Sequence, residues 1–292
     1  MWIILAITSA LSLGVYDIFK KISLRSNNVL WVLMLNTMFC TLFMSPVLIN
    51  TLASGSIGLD GTLMGHIHVF IKALIVLSSW VLGYFSIKHL PLTIVGPINA
   101  SRPVVVLVGA LVIFSEHLNF LQWCGVLLGF WSLFFISRVG AKEGVSFKQN
   151  HWLWMAIGST MMGAVSALYD KYLMGMYEPL QVQAWYSFYQ CVIMTITVLI
   201  IQHSVKSANT PKIWRWSIPL ISLFLTVADI AYFYALSQPD AMIAIVSMLR
   251  RGSVIVSFLY GIIILREKHL KLKLIDLSIL LVALVLLVLG SK

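Results

Sequence analysis

Ten apolar runs, each close to the length needed to cross a bilayer, constrain this chain more than any other feature. They fall at residues 2–19, 30–49, 68–88, 93–115, 119–137, 152–173, 180–201, 215–236, 241–264 and 272–290. A helical span needs about 20 such residues, and little chain is left over for a soluble domain. Charged residues make up only 10% of the 292 and mean hydropathy is +0.95; a soluble domain carries about 25% charge. The expected fold class is therefore all-α and integral to the membrane, a multi-pass bundle in the cell (inner or plasma) membrane. The first run lacks a basic leader and a small-residue cleavage site, so it reads as a span and not as a signal peptide. Cys40, Cys124 and Cys191 all fall inside runs, where packing is the expected role of a thiol. The net charge of +10 gathers in short connections, as membrane topology demands, and gives no reason to expect a nucleic-acid partner.

The chain repeats itself. Trp2, Ala6, Ile7, Ser9 and Lys21 recur 150 residues later as Trp152, Ala156, Ile157, Ser159 and Lys171. Tyr84-Phe85, Pro91 and Arg102 match Tyr232-Phe233, Pro239 and Arg250 at an offset of 148, and Glu116 matches Glu267 at 151. Five spans per copy is an odd number, so the second copy must enter the membrane upside down. The bases agree, because they favour opposite sides in the two copies, as an inverted repeat requires. The expected units are residues 1–140 and 152–292, joined by a linker at 141–151. By charge alone both termini would lie outside the cell.

One stretch resembles a known family. Glu116-x5-Gln122-x2-Gly125-x3-Gly129 leads from the fourth span into the fifth, with small residues four apart that let helices approach closely. In this the chain resembles the EamA-like ten-helix transporters of the drug/metabolite transporter superfamily. The resemblance implies two inverted five-helix repeats around a central cavity, lined by the first four helices of each, with the fifth and tenth helices set aside as scaffold. It also implies cytoplasmic termini, against the charge bias. The second copy keeps Glu267 but lacks the glutamine and the glycines.

Charges within the spans mark the candidate site, because each costs roughly 2.5–3.5 kcal/mol at a helix centre and such residues face a cavity or pair with one another. Asp229 sits midway along the eighth span; it is either a proton-coupling carboxylate or a fixed partner of Arg250, Arg251 or Arg102. Adjacent helical residues diverge by about 100°, so Arg250 and Arg251 divide between solute contact and charge pairing. A planar guanidinium suits carboxylate or phosphate. Three bases against one acid then imply an anionic or zwitterionic solute, bound by Arg102 and Arg250. Asn99, Tyr84, Trp185, Tyr189, Gln190 and Tyr232 are further candidates for solute contact, although packing and interfacial belts also use these residue types. Asp17, Lys21 and Lys171 are candidate gate residues at the ends of the first and sixth spans. His66-x-His68 lacks acidic or Cys companions, so neither a metal nor another cofactor is expected.

The expected function is secondary, non-ATP export of a small anionic or zwitterionic metabolite by alternating access, since the chain has no GxxxxGK[ST] phosphate loop. Its partners would be the solute, the lipid bilayer and a coupled proton, and the protein would act as a monomer or homodimer. A flippase for a lipid-linked anionic headgroup is the alternative on the same fold. An intramembrane enzyme is the alternative from another class, although no HExxH, GxSxG or spaced carboxylate pair is present to serve it.

Overall fold

A computed structural model describes residues 1–24, 27–54, 58–89, 98, 102–140, 151–204, 211–253, 256 and 270–290. Among the described residues ten α-helices follow one another: α1 Trp2–Leu24, α2 Val29–Ala53, α3 Leu63–His89, α4 Arg102–Ile113 and α5 Phe120–Gly140, then α6 His151–Met174, α7 Pro179–Ser204, α8 Ser217–Leu236, α9 Ile243–Arg250 and α10 Leu270–Gly290. No strand occurs among the described residues. Stretches of α1, α2, α3, α7 and α8 are long and apolar enough to cross a membrane. Helices are the expected answer there, because each satisfies its own backbone groups where water cannot.

The distribution of side chains is that of a protein solvated by lipid. Large apolar residues such as Ile4, Leu11, Val112, Trp131 and Leu199 point outward, while Ser9, Asn36, Lys72, Asp170, Gln183 and Gln190 are buried. The interior polar groups join helices. Ser222 Oγ donates to Asn36 Oδ1 at 2.9 Å, which makes Asn36 a tie between α2 and α8. Ser9 Oγ donates to the Ala228 carbonyl at 2.7 Å. Ser79 and Ser159 each donate to the other's carbonyl, at 2.8 and 2.7 Å.

The principal helix pairs are α1 with α8, α3 with α6, α2 with α7 and α5 with α10. Gly125 shows why α5 and α10 meet so closely: a Cβ there would lie 2.9 Å from the Ala283 carbonyl oxygen and 2.8 Å from Leu287. That accounts for the glycine in the sequence motif as a packing requirement.

The helix boundaries move two of the expected runs in ways that matter. α3 begins at Leu63, not at 68, so Lys72 stands nine residues, about 13 Å of helix, from the start. α9 begins at Ile243, not at 241, and Pro239 lies in the elbow that precedes it. The expected linker at 141–151 and Glu267 lie outside the described residues, apart from His151, which opens α6.

Candidate functional site

A cavity of about 430 Å³ opens among these helices, walled by residues of α1, α3, α4, α6, α7, α8 and α9. Its described lining contains five cations, Lys20, Lys72, Arg102, Arg250 and Arg251, and three carboxylates, Asp17, Asp170 and Asp229. Three bases against one acid was the expectation; the cavity is more heavily charged than that, and still formally positive by two.

Four of the eight form a neutral group. Asp229 on α8 accepts a hydrogen bond from Arg250 on α9 at 3.0 Å, which decides among its candidate partners. Lys72 on α3 forms an ion pair with Asp170 on α6, deep enough that Lys72 is only 2% exposed. Aromatic faces complete both pairs. The Lys72 ammonium lies 4.4 Å from the Tyr186 ring centroid and 4.8 Å from that of Phe233, and the Arg250 guanidinium lies 3.9 Å from that of Tyr232. Cations over ring faces in a desolvated site are held by the ring quadrupole.

The other four, Asp17 and Lys20 from α1, Arg102 at the start of α4 and Arg251 just past α9, carry the excess charge. Arg251 stands within electrostatic reach of Arg102, Arg250 and Asp17. The Arg102 guanidinium lies against Gly163 of α6, where a Cβ would come within 2.5 Å of its Cζ. Its buried Nε has no hydrogen-bond partner. Glycine at 163 is thus a close-approach requirement, and Arg102 and Arg250 each keep a buried Nε with no hydrogen-bond partner among the described residues.

Of the residues expected at the site, Arg102, Arg250, Arg251, Asp229, Tyr232 and Asp17 line the cavity. Asp17, expected at a gate, lines the cavity wall. Trp185 and Tyr189 do not line the cavity. They pack with His66, whose Nδ1 shares a hydrogen bond with the Tyr189 hydroxyl at 2.9 Å. Gln190 is buried on α7 beside Tyr186, behind the wall. His68 meets the Tyr177 hydroxyl at 3.0 Å. Asn99 lies outside the described residues, as do the side chains of Tyr84 and Lys21.

Lys171 does something the sequence only hinted at. Its ammonium donates to the carbonyls of Leu236, at 3.3 Å, and Ala241, at 2.5 Å, on either side of the elbow between α8 and α9. Glu116 holds the same elbow from the first half of the chain. Its carboxylate accepts the Ile243 and Ala244 N–H groups at 2.6 and 3.2 Å, the donors a helix leaves unpaired at its first turn. Ser115, in the left-handed backbone region at φ 51°, turns the chain out of α4 and presents that carboxylate. Burial pushes the Glu116 carboxyl up from its ordinary range, against the opposing pull of its two backbone donors.

An apolar-coated helical bundle of this kind defines a multi-pass membrane protein. The sequence profile of the EamA-like transporter family matches residues 1–138, a likeness that points to a membrane transporter. No curated protein sequence matches the chain. Among solved structures, a crystal structure 14% identical in sequence superposes with a TM-score of 0.71 over 99% of this chain and 96% of its own. That similarity is one of fold.

Proposed function

We propose that this protein is a secondary transporter that exports a small anionic or zwitterionic organic metabolite by alternating access. The observation that carries the reading is the positive cavity, walled by helices of both halves inside an apolar-coated bundle. Charges at that depth are costly, and solute pathways are where membrane proteins keep them.

Two inverted five-helix units, 1–140 and 152–292 about a linker at 141–151, supply the moving parts. The pairing of helices supports this arrangement. Advancing each helix of the α1–α8 pair by five places, with wrap-around, gives the α6–α3 pair, while α2–α7 and α5–α10 map onto themselves. The serine ties come close to the same relation, since Ser9 matches Ser159 at an offset of 150 and their acceptors Ala228 and Ser79 fall within one residue of matching positions. Transport then consists of one unit rocking against the other around the cavity. Glu116 and Lys171 form a gate by fixing the α8–α9 elbow. A coupled proton or exchange drives the cycle, and no enzymatic step is involved.

Proteoliposome flux of a mixed metabolite panel, with and without a pH gradient, tests the reading. Arg250→Ala and Asp229→Asn, inserted normally, are expected to lose movement of whichever solute the wild type carries. Unchanged flux in both variants would reduce the pair to structural glue, and absence of flux for every small solute would overturn the reading.

A further inference from the structure

We propose that residues 211–216, Pro-Lys-Ile-Trp-Arg-Trp, form a docking strap for an anionic phospholipid, a role that requires the membrane fold but not the transport reading. Lys212 and Arg215 meet the headgroup phosphate, and Trp214 and Trp216 sit at the level of the glycerol and upper acyl groups.

The strap is non-helical and lies where three spans end: α1 stops at Leu24, α2 starts at Val29 and α8 starts at Ser217. Its backbone is pinned inward. The Asn27 side-chain amide pairs with both backbone groups of Ile213, donating to the carbonyl at 2.7 Å and accepting the N–H at 3.0 Å. The Asn28 N–H donates to the Pro211 carbonyl at 3.0 Å, and Arg215 Nη1 donates to the Ile22 carbonyl at 3.1 Å. Side chains are left to face outward. Trp216 is 80% exposed and Trp214 47%, with Lys212 and Ile213 exposed beside them. The two indoles meet edge to face at 5.9 Å, and the Lys212 ammonium lies 5.6 Å from the Trp31 ring centroid. Indoles at span ends suit the bilayer interface, where one side of the ring is apolar and the other wet. Bases at that level meet lipid phosphate.

At the opposite end of α2 the fold repeats the strap without this chemistry. There the Gln181 side-chain oxygen accepts the Leu59 N–H at 2.6 Å, again tying one connection to the other, and residues 58–62 include no aromatic. Residues 54–67 and 168–181 contain three acids, Asp60, Asp170 and Glu178, and one base, Lys171. Their counterparts at an offset of 150, 204–217 and 18–31, contain six bases and no acid; of these Lys20 belongs to the cavity. Membrane orientation alone asks for bases in such connections. It does not ask for them beside two outward indoles on a pinned backbone, and a surface of one sign is what a headgroup phosphate complements.

The test uses the full-length protein in dodecyl maltoside, titrated with phosphatidylglycerol, with phosphatidylcholine of the same acyl chains and with inorganic phosphate. Native mass spectrometry counts bound lipid, and the melting temperature is read beside it. Phosphatidylglycerol is expected to bind about tenfold more tightly than phosphatidylcholine and to raise the melting temperature, with no such effect from phosphate. Lys212→Gln should weaken phosphatidylglycerol about fivefold, and Lys212→Gln with Arg215→Gln about twentyfold, because both bases act on one phosphate. Lys212→Arg should bind as wild type does. Trp216→Ala should weaken both lipids alike, since an indole reads the interface and not the charge. Lys212 and Trp216 are exposed, so the lipid-free melting temperatures of their variants should match wild type, which separates lost binding from lost folding. Equal affinity for the two lipids, or unchanged phosphatidylglycerol affinity in the double variant, would overturn the proposal and leave the bases as orientation signals. Phosphate protecting as well as the lipid would assign them to a free anion and overturn it too. None of these readouts depends on solute movement.

Discussion

Arg102 and Arg250 stand at matching positions of the two halves, yet they live in different surroundings. Arg250 has a carboxylate at 3.0 Å and a tyrosine ring beneath it. The residue that corresponds to Asp229 in the first half is Val81, so Arg102 meets no equivalent acid and rests on a glycine instead. One of these two cations is thus paired with a carboxylate inside the protein, and the other packs against a glycine. The same contrast separates the neutral four charges from the cationic four across the whole cavity.

The contrast fails first if the paired cations are not truly structural, and Lys72 tests that most severely. Lys72→Met leaves Asp170 buried without its partner, and breaking such a pair by one side costs about 3–5 kcal/mol. A large fall in melting temperature in detergent is expected, with the Lys72→Met, Asp170→Leu double variant recovering much of it, because the lone buried charge is the source of the penalty. Equal losses in the single and double variants would mean that the pair matters through packing alone.

Much of this architecture was legible in the sequence, for a physical reason. A bilayer forces apolar runs into helices, and a charge inside a run must find company, so the helices and a choice of Arg102, Arg250 or Arg251 as partner for Asp229 follow from residue order, and the structure selects Arg250. Lys72 escaped because its run looked as if it began at 68; polar-flanked Leu63–Ile67 extend α3 and carry Lys72 inward. Trp185 and Tyr189 misled in the other direction. Aromatic residues four apart share a helix face, but a face can pack against His66 as readily as against a solute. Glu116 was legible as a motif residue and not as a helix cap, since its partners lie 127 and 128 residues away.

Gly163→Ala sharpens the contrast from the unpaired side. The added methyl would press on the far end of a flexible side chain, which can shift, so stability should stay within about 0.5 kcal/mol of wild type, as for substitutions that avoid a packed core. Arg102 would be displaced from its seat, and solute flux should fall about tenfold, or about 1.4 kcal/mol of binding. Arg250, on the other side of the comparison, would keep its carboxylate. A loss of stability in place of a loss of flux would show Gly163 to be a helix-packing position.

The smallest effect is expected at Glu116, whose carboxylate serves the elbow rather than the cavity. Glu116→Gln keeps one acceptor oxygen for the first N–H groups of α9, so at pH 7.5 the cost should be a few tenths of a kcal/mol, while Glu116→Ala, which removes the cap, should cost about 1 kcal/mol. The pH dependence has a definite sign. Burial raises the folded carboxyl above its ordinary 4.5, so between that value and the raised one the folded state binds more protons than the unfolded chain, and stability falls as pH rises through this window. The melting temperature of wild type should therefore gain on that of Glu116→Gln as pH is lowered from 7.5 toward 5. A constant difference between them across that range would mean that the two backbone donors, and not burial, set the protonation of the cap.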